Sequence, residues 1–334
     1  MPAFLRAANY PQDFDSAAGC LLTTVAGRFD AEYVKGGTFR NHDVALRATA
    51  GVPVIDLAAP VADLWVSFRM FSNLQSNSNS VENLRLETAS GDMLASLVKV
   101  GGTALRARVV GASTVTGATN LGWNSATGTH MDVVLHLRND GVDRIFDVYF
   151  GGILEQSHSV ALGSLGDASR IVIGNPWNAS NSNSSAWFVL SEVLITDGID
   201  PRGLRVAALR PDAIGHHDQM LGSITGLANA SAVTGVASDA AGQRVSWQPE
   251  AYTGPTPGGI AAVMTTARAG RLSGAPSRLA QTLRIDGTDH DGDPQTIGAT
   301  AFWSQVWAGN PDIGGPWVAG DLAGLEVGLL SADS

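Results

Sequence analysis

Apolar residues recur at every second position along much of this chain. In DLWVSFRMF, Leu64, Val66, Phe68 and Met70 fall on one side of an extended backbone, and Trp65, Ser67, Arg69 and Phe71 on the other. Successive side chains of a strand point to opposite faces, so the alternation predicts strands with one face buried. VENLRLET (81–88), MLASLVKV (93–100) and ALRARVV (104–110) follow, separated by the turn-forming ASGD and VGGT. MDVVLHLRNDGVDRIFDVYFGGIL reads as a hairpin. Met131, Val133, Leu135 and Leu137 alternate up to Asn139-Asp140-Gly141, and Ile145, Asp147 and Tyr149 resume the pattern. RIVIG and WFVLSEVLITD are further strands, joined by the polar NPWNASNSNSS. No stretch of about 12 residues carries a capped 3.6-residue period. Strands about every 8–14 residues predict an all-β sandwich or barrel.

The strand rhythm breaks near DGIDPRGLRVAALRPDAIGHHD, where Asp-Gly, Asp-Pro-Arg-Gly and Arg-Pro-Asp act as punctuation. The predicted organisation is a sandwich over 1–200, a connecting segment over 201–215 and a smaller β-rich domain over 216–334. In the latter, QRVSWQPE, GGIAAVMTTARAG, RLAQTLRIDG and ATAFWSQVWAGNP are strand candidates. WVAGDLAGLEVGLLSA reads as a short helical turn feeding an edge strand.

At 334 residues and 44% hydrophobic content the chain can bury a sizeable core, and two domains are expected. Charged residues make up only 16%, so small and uncharged polar groups cover much of the surface, as in packed assemblies. A net charge of −10 without a Lys/Arg cluster excludes a phosphate-binding footprint, and with it nucleic acid and anionic membranes. Cys20 is the single cysteine, so no disulfide forms within the chain. MPAFLRAANYPQDFD lacks the apolar core of about 7–15 residues that marks a secretory signal. No run approaches the roughly 18 apolar residues of a membrane span. The expectation is synthesis in a bacterial cytoplasm without membrane insertion.

FDVYFGGILEQSHSVALG, RIVIGNPW and AWFVLSEVLITDG together resemble the closing strands of laminin-G/concanavalin A-like jelly rolls, with Gly152, Gly174 and the Phe188–Ile195 run in the matching places. DPRGLRVAALRPDAIG then resembles a segment that follows such jelly rolls in structural proteins of tailed bacteriophages, prophages and gene transfer agents. GNPDIGGPWVAGDLAGLEVGL is similar to a C-terminal element of the same proteins, matched at Asn310, Pro311, Gly314, Pro316, Trp317, Leu325, Glu326 and Gly328. Ile313 and Val318 stand where that element usually has threonines. The resemblance implies a virion protein of a tail tip, fibre or head appendage, and no catalytic site.

Glycoside hydrolases share this jelly roll, and retaining ones need two carboxyl groups about 5 Å apart. The family places them at alternate positions of one strand. Here that strand offers Glu192, Leu194 and Thr196, a single carboxylate, and Glu192 is expected to bond a backbone group or lie at a sheet edge. His216-His217-Asp218 reads as a surface linker, because it lacks the further spaced ligand a zinc site needs. His136 falls on the alternate face of its strand as a solvated or packed side chain. In DGTDHDGDP, Asp289, Asp291 and Asp293 alternate as in calcium loops. Pro294 replaces the expected glycine and Thr300 the closing glutamate, so a polar hairpin turn is the better reading.

Sugars are gripped by aromatic faces and directional hydrogen bonds. The tracts SNLQSNSNS and NASNSNSS, with Trp177 beside the second, are the candidate glycan contacts, through Asn77, Asn175, Trp177, Asn178 and Asn181. Flexible connection is their simpler reading. The sequence thus predicts a non-enzymatic virion protein without cofactors. It would assemble as a symmetric homo-oligomer with other virion proteins, and host-surface carbohydrate is a further candidate partner. A glycan-binding adhesin and a glycoside hydrolase are the alternatives.

Overall fold

The computed structural model describes residues 3–8, 21–22, 37–40, 54–72, 81–99, 105–121, 130–173, 187–207, 209–222, 235–252, 259–271 and 276–333. Among these, antiparallel strands dominate and the helical content is a 3-10 turn at Ala319–Leu322. The chain divides into two compact units, Met1–Val206 and Ala207–Ser334.

The first unit holds β1 (Ala3–Ala8), β2 (Leu21–Leu22), β3 (Gly37–Arg40), β4 (Val54–Val61), β5 (Asp63–Ser72), β6 (Val81–Glu87) and β7 (Met93–Lys99). It continues with β8 (Leu105–Val110), β9 (Thr114–Thr116), β10 (His130–Asn139), β11 (Asp143–Phe150), β12 (Ile153–Ala161), β13 (Ala168–Ile173) and β14 (Trp187–Asp197). They form a two-layer jelly-roll sandwich. One sheet has eight strands in the order β12-β11-β10-β5-β14-β3-β2, with β1 also on β14, and the other six in the order β4-β13-β6-β7-β8-β9. The predicted alternation explains the layering in β5 and β10, whereas in β11 the phase is opposite to the one expected: Phe146 and Val148 face the core, and Asp147 shares the outer face with His136. Leu64, Val66, Phe68, Leu135, Phe146 and Ile195 from one sheet meet Leu84, Leu86, Leu97, Leu105, Val109 and Ile171 from the other in one buried cluster. Each such side chain contributes about 1.5–3 kcal/mol over remaining exposed. The hairpin turn predicted after Leu137 is present. Asp140 accepts hydrogen bonds from the N–H groups of Val142 (2.9 Å) and Asp143 (2.7 Å), and Gly141 takes φ +95°.

Arg144 is a charged residue on that apolar face, and it is fully buried. It donates to Asn139 Oδ1 and to the carbonyls of Val110, Leu165 and Gly166, pinning two connections to β11. Burial pushes its pKa down, and nearby Asp167 opposes the shift.

The second unit comprises β15 (Pro211–Asp218), β16 (Leu221–Gly222), β17 (Val236–Ala237), β18 (Arg244–Pro249), β19 (Val263–Ala269), β20 (Arg278–Ile285), β21 (Thr288–Asp291), β22 (Gln295–Thr296), β23 (Ala301–Trp307) and β24 (Glu326–Ala332). Its main sheet runs β15-β18-β24-β20-β21, with β22 also on β20. Leu283, Ile285, Trp307, Trp317 and Leu325 form its larger core cluster, and Trp317 Nε1 donates to the Trp307 carbonyl at 2.7 Å.

Three expectations need correction. The connecting segment over 201–215 does not exist as such: residues through Val206 belong to the first unit, and β15 already begins at Pro211. His216 and His217 are therefore strand residues, and His217 Nε2 bonds Asp289 Oδ2 at 2.8 Å. The final strand, β24, is not an edge but lies between β18 and β20. Gly328 makes room for that, since a Cβ there would come within 2.5 Å of the Val245 carbonyl oxygen.

Candidate functional site

The face of the eight-stranded sheet turned away from the core carries a connected group of charged, polar and aromatic side chains. Pairing register lines it up. Thr196 lies opposite Trp65, Trp65 opposite His136, His136 opposite Asp147, and Asp147 opposite Ser157, across five strands. Directly opposed residues on one face have Cβ atoms about 5 Å apart, so strand pairing alone forces these side chains into contact. Trp65 and His136 stack with ring centroids 3.6 Å apart and 11° between planes. Tyr149, from the next row, sits 6.1 Å from Trp65 at 25°. An Nε2–H donating to Asp63 (2.6 Å) and an Nδ1 accepting from Arg138 (2.9 Å) satisfy both nitrogens of His136. Arg138 also bonds Asp147. Burial raises the Asp147 pKa, but the adjoining His136, Ser157 and Arg138 outweigh it and hold the carboxyl down to about 2.

Two rows away, β14 carries an irregularity. Its register against β5 shifts between Ser191 and Leu194, so an extra residue bulges out, and Glu192 takes φ +53°. Left-handed backbone is unfavourable for a residue with a side chain and costs about 1 kcal/mol or more, so the surroundings must hold it there. The bulge falls where the neighbour of β14 changes from β3, paired with Trp187–Leu190, to β1, paired with Val193–Asp197.

Glu192 is buried between two guanidinium groups, Arg69 Nη1 at 3.5 Å and Arg205 Nη1 at 3.6 Å. Asp132, more exposed, contacts the same two arginines at 2.9 and 3.2 Å. Burial pushes the Glu192 pKa up, while Arg205, Arg69 and the Val206 N–H pull against it. Glu192 thus bonds a backbone group as expected, but it sits inside the sheet and not at its edge.

Residues 199–206 complete the site. Thr196 Oγ1 donates to the Ile199 carbonyl at 2.5 Å, and the Leu204 N–H bonds the Pro201 carbonyl at 2.9 Å, closing a turn. Gly203, at its third position, has the φ of +84° that a type II turn requires. The turn carries the Arg202 guanidinium to 4.5 Å from the Tyr149 ring centroid and 6.0 Å from that of Trp65. Asp200 grips the same guanidinium through Nε at 2.8 Å and through Nη2.

The predicted glycan contacts Asn77, Asn175, Trp177, Asn178 and Asn181 all lie outside the described residues. Of the calcium candidates, Asp289 and Asp291 are not loop residues but lie on β21, because the hairpin turn is Asp286-Gly287, with φ of +48° and +87°. Asp289 is held by Arg284 and His217, and Asp291 by both terminal nitrogens of Arg244 at 2.7 Å, while Asp293 is exposed. A calcium ion there would have to displace these cations. Among the described residues no group of three or more His, Cys, Asp or Glu is arranged to hold a metal. No helix among them is long and apolar enough to cross a membrane.

No protein-family model matches the chain, and no curated protein matches it. Solved structures with similarity include a Trypanosoma rangeli sialidase, 17% identical with a TM-score of 0.33. That match covers 48% of this chain, which spans only 25% of the sialidase's length. The receptor binding domain of botulinum neurotoxin mosaic serotype C/D is 10% identical over 74% of this chain and 65% of that one, with a TM-score of 0.39. The CBM2 module of the evolved Dit of Lactobacillus casei BL23 phage J-1 is 11% identical over 60% of this chain and 97% of that one, with a TM-score of 0.35. Values this low carry no argument about activity or ligand.

Proposed function

We propose that this chain is a non-enzymatic structural protein of a tailed phage or phage-like particle, working by binding and assembly and touching host-surface glycan. The virion part rests on the residue-level resemblance of DPRGLRVAALRPDAIG and of the element from Asn310 to Gly328. The non-enzymatic part rests on one observation. Glu192, the one carboxylate among the alternate positions 192, 194 and 196 where this fold's hydrolases carry their pair, is clamped between Arg69 and Arg205. Asp132, the neighbouring acid, leans on the same arginines. A hydrolase needs one carboxyl to give a proton and another to attack or activate water across an open bond. Two acids neutralised by shared guanidiniums beside the chain's own 199–206 segment suit an ion-paired clamp instead.

Sedimentation of induced lysates tests the virion part: the chain should travel with tailed particles, and recovery as a free cytoplasmic protein would overturn it. Incubation of the full chain with bacterial surface polysaccharide tests the rest. No reducing ends should be released, and hydrolysis that disappears in Glu192→Gln would restore the enzyme reading.

A further inference from the structure

The reading above gives the sandwich a glycan partner without assigning residues, and the outer sheet face offers them. Trp65, stacked on His136, and Tyr149, with its ring centroid 6.1 Å from that of Trp65 and 25° from parallel, form a buried aromatic shelf. Asp63, His136, Arg138 and Asp147 border it, their polar atoms already oriented by bonds to one another. Aromatic faces accept the C–H side of a sugar ring while fixed donors and acceptors choose its hydroxyls, so this pairing of surfaces is the chemistry of saccharide recognition.

The shelf is covered by Arg202, whose guanidinium stands 4.5 Å from the Tyr149 centroid. The base of the covering segment and its tip are held unequally. At its base, Arg205 and the Val206 N–H engage the buried carboxylate of Glu192. At its tip, the Arg202 side chain is 38% exposed and touches the sheet through a cation–π contact, the weaker kind of attachment in water. Gly203 beside it gives the turn a residue free to change backbone conformation.

We propose that the Trp65–Tyr149 shelf is a saccharide site and that residues 199–206 form a strap whose tip, Arg202, plugs it until a sugar ring takes its place. The assignment rests on the glycan contact in the proposed function. Its ligand class follows from charge: with Arg202 withdrawn, Asp63 and Asp147 face Arg138, so neutral or amino-bearing sugars fit better than sialic or uronic acids.

Calorimetry on the full chain tests this with N-acetylglucosamine oligomers, mannan fragments, chitosan oligomers and, as the acidic control, sialyllactose. Arg202→Ala should bind a neutral or amino sugar about fivefold more tightly than the unaltered chain, the gain expected from removing a weakly held plug. Adding Tyr149→Leu should abolish the gain, and sialyllactose should show none. Because Tyr149→Leu could disturb folding, hydrogen exchange on the unaltered chain provides a second readout: sugar should speed exchange at 199–204 and leave Val206 protected. Equal binding by Arg202→Ala and the unaltered chain would overturn the inference. If both bind, the site lies elsewhere and the glycan part of the proposed function stands. If neither binds, that part falls as well, while sedimentation with particles judges the virion part separately.

Discussion

On the inner face of the eight-stranded sheet stand Leu64, Val66, Leu135, Phe146 and Ile195. One residue along the same strands, on the outer face, stand Trp65, His136, Asp147 and Thr196, which are also buried. The inner face is held by apolar area removed from water, which depends little on pH or salt. Matched charges, hydrogen bonds and stacked rings hold the outer face, and each is strong only while its partner is present. The difference teaches that burial by itself says little about how a face is stabilised. The inner face should respond to lost volume, and the outer face to protonation and to loss of a partner.

The largest expected effect is on the inner face. Phe146→Ala should cost about 3–5 kcal/mol in urea unfolding of the first unit, equally at pH 5 and pH 8. A marked pH dependence of that loss would blur the contrast between the faces. Asp147→Asn should cost about 2 kcal/mol at neutral pH. The folded pKa of Asp147 is depressed to about 2, so its stabilisation is fully present above the unfolded value of about 3.9 and is lost as pH falls through 2. Unfolding midpoints of Asp147→Asn and the unaltered protein should therefore converge on acidification, and a constant gap would break the argument. Arg205→Ala should cost about 1 kcal/mol, with amide exchange at 199–206 rising well before the sandwich opens. Uniform exchange across the sheet would mean the segment is not a separate unit. The smallest effect belongs to the second unit: Arg244→Ala, losing a partly exposed pair with Asp291, should cost about 0.5 kcal/mol and less in high salt, read as a shift in Tm.

The sandwich was largely legible in the sequence because a period of two survives in β5, β10 and β11, where one face must be apolar. The outer face was legible only in pieces. Trp65, Arg69 and His136 fell on the polar side of recognised strands, whereas Asp147 was read in the row that resumes the apolar alternation, and the meeting of these residues with Glu192 depends on pairing between strands as distant as β5 and β14. Local pattern does not encode that register. Residues 199–206 look like a linker, with Asp-Pro and Gly, and their binding to the sheet arises from Arg202 and Arg205 reaching partners far away in sequence. The end strand β24 was misplaced for the same reason: a chain terminus suggests an edge, whereas its neighbours β18 and β20 are chosen by long-range pairing. The left-handed Glu192 carried no signal, since the residues that commonly take positive φ are glycine, asparagine and aspartate.

The row Thr196–Trp65–His136–Asp147–Ser157 has a consequence for how such a chain can change over generations. A one-residue insertion inside β10 would rotate His136 toward the core and Leu135 toward the charges, spoiling both faces at once. Length variation should therefore collect in the connections between strands. Within the row, a replacement at one position should be accompanied by replacements at its neighbours, so that five positions scattered from 65 to 196 drift through a lineage as a single character.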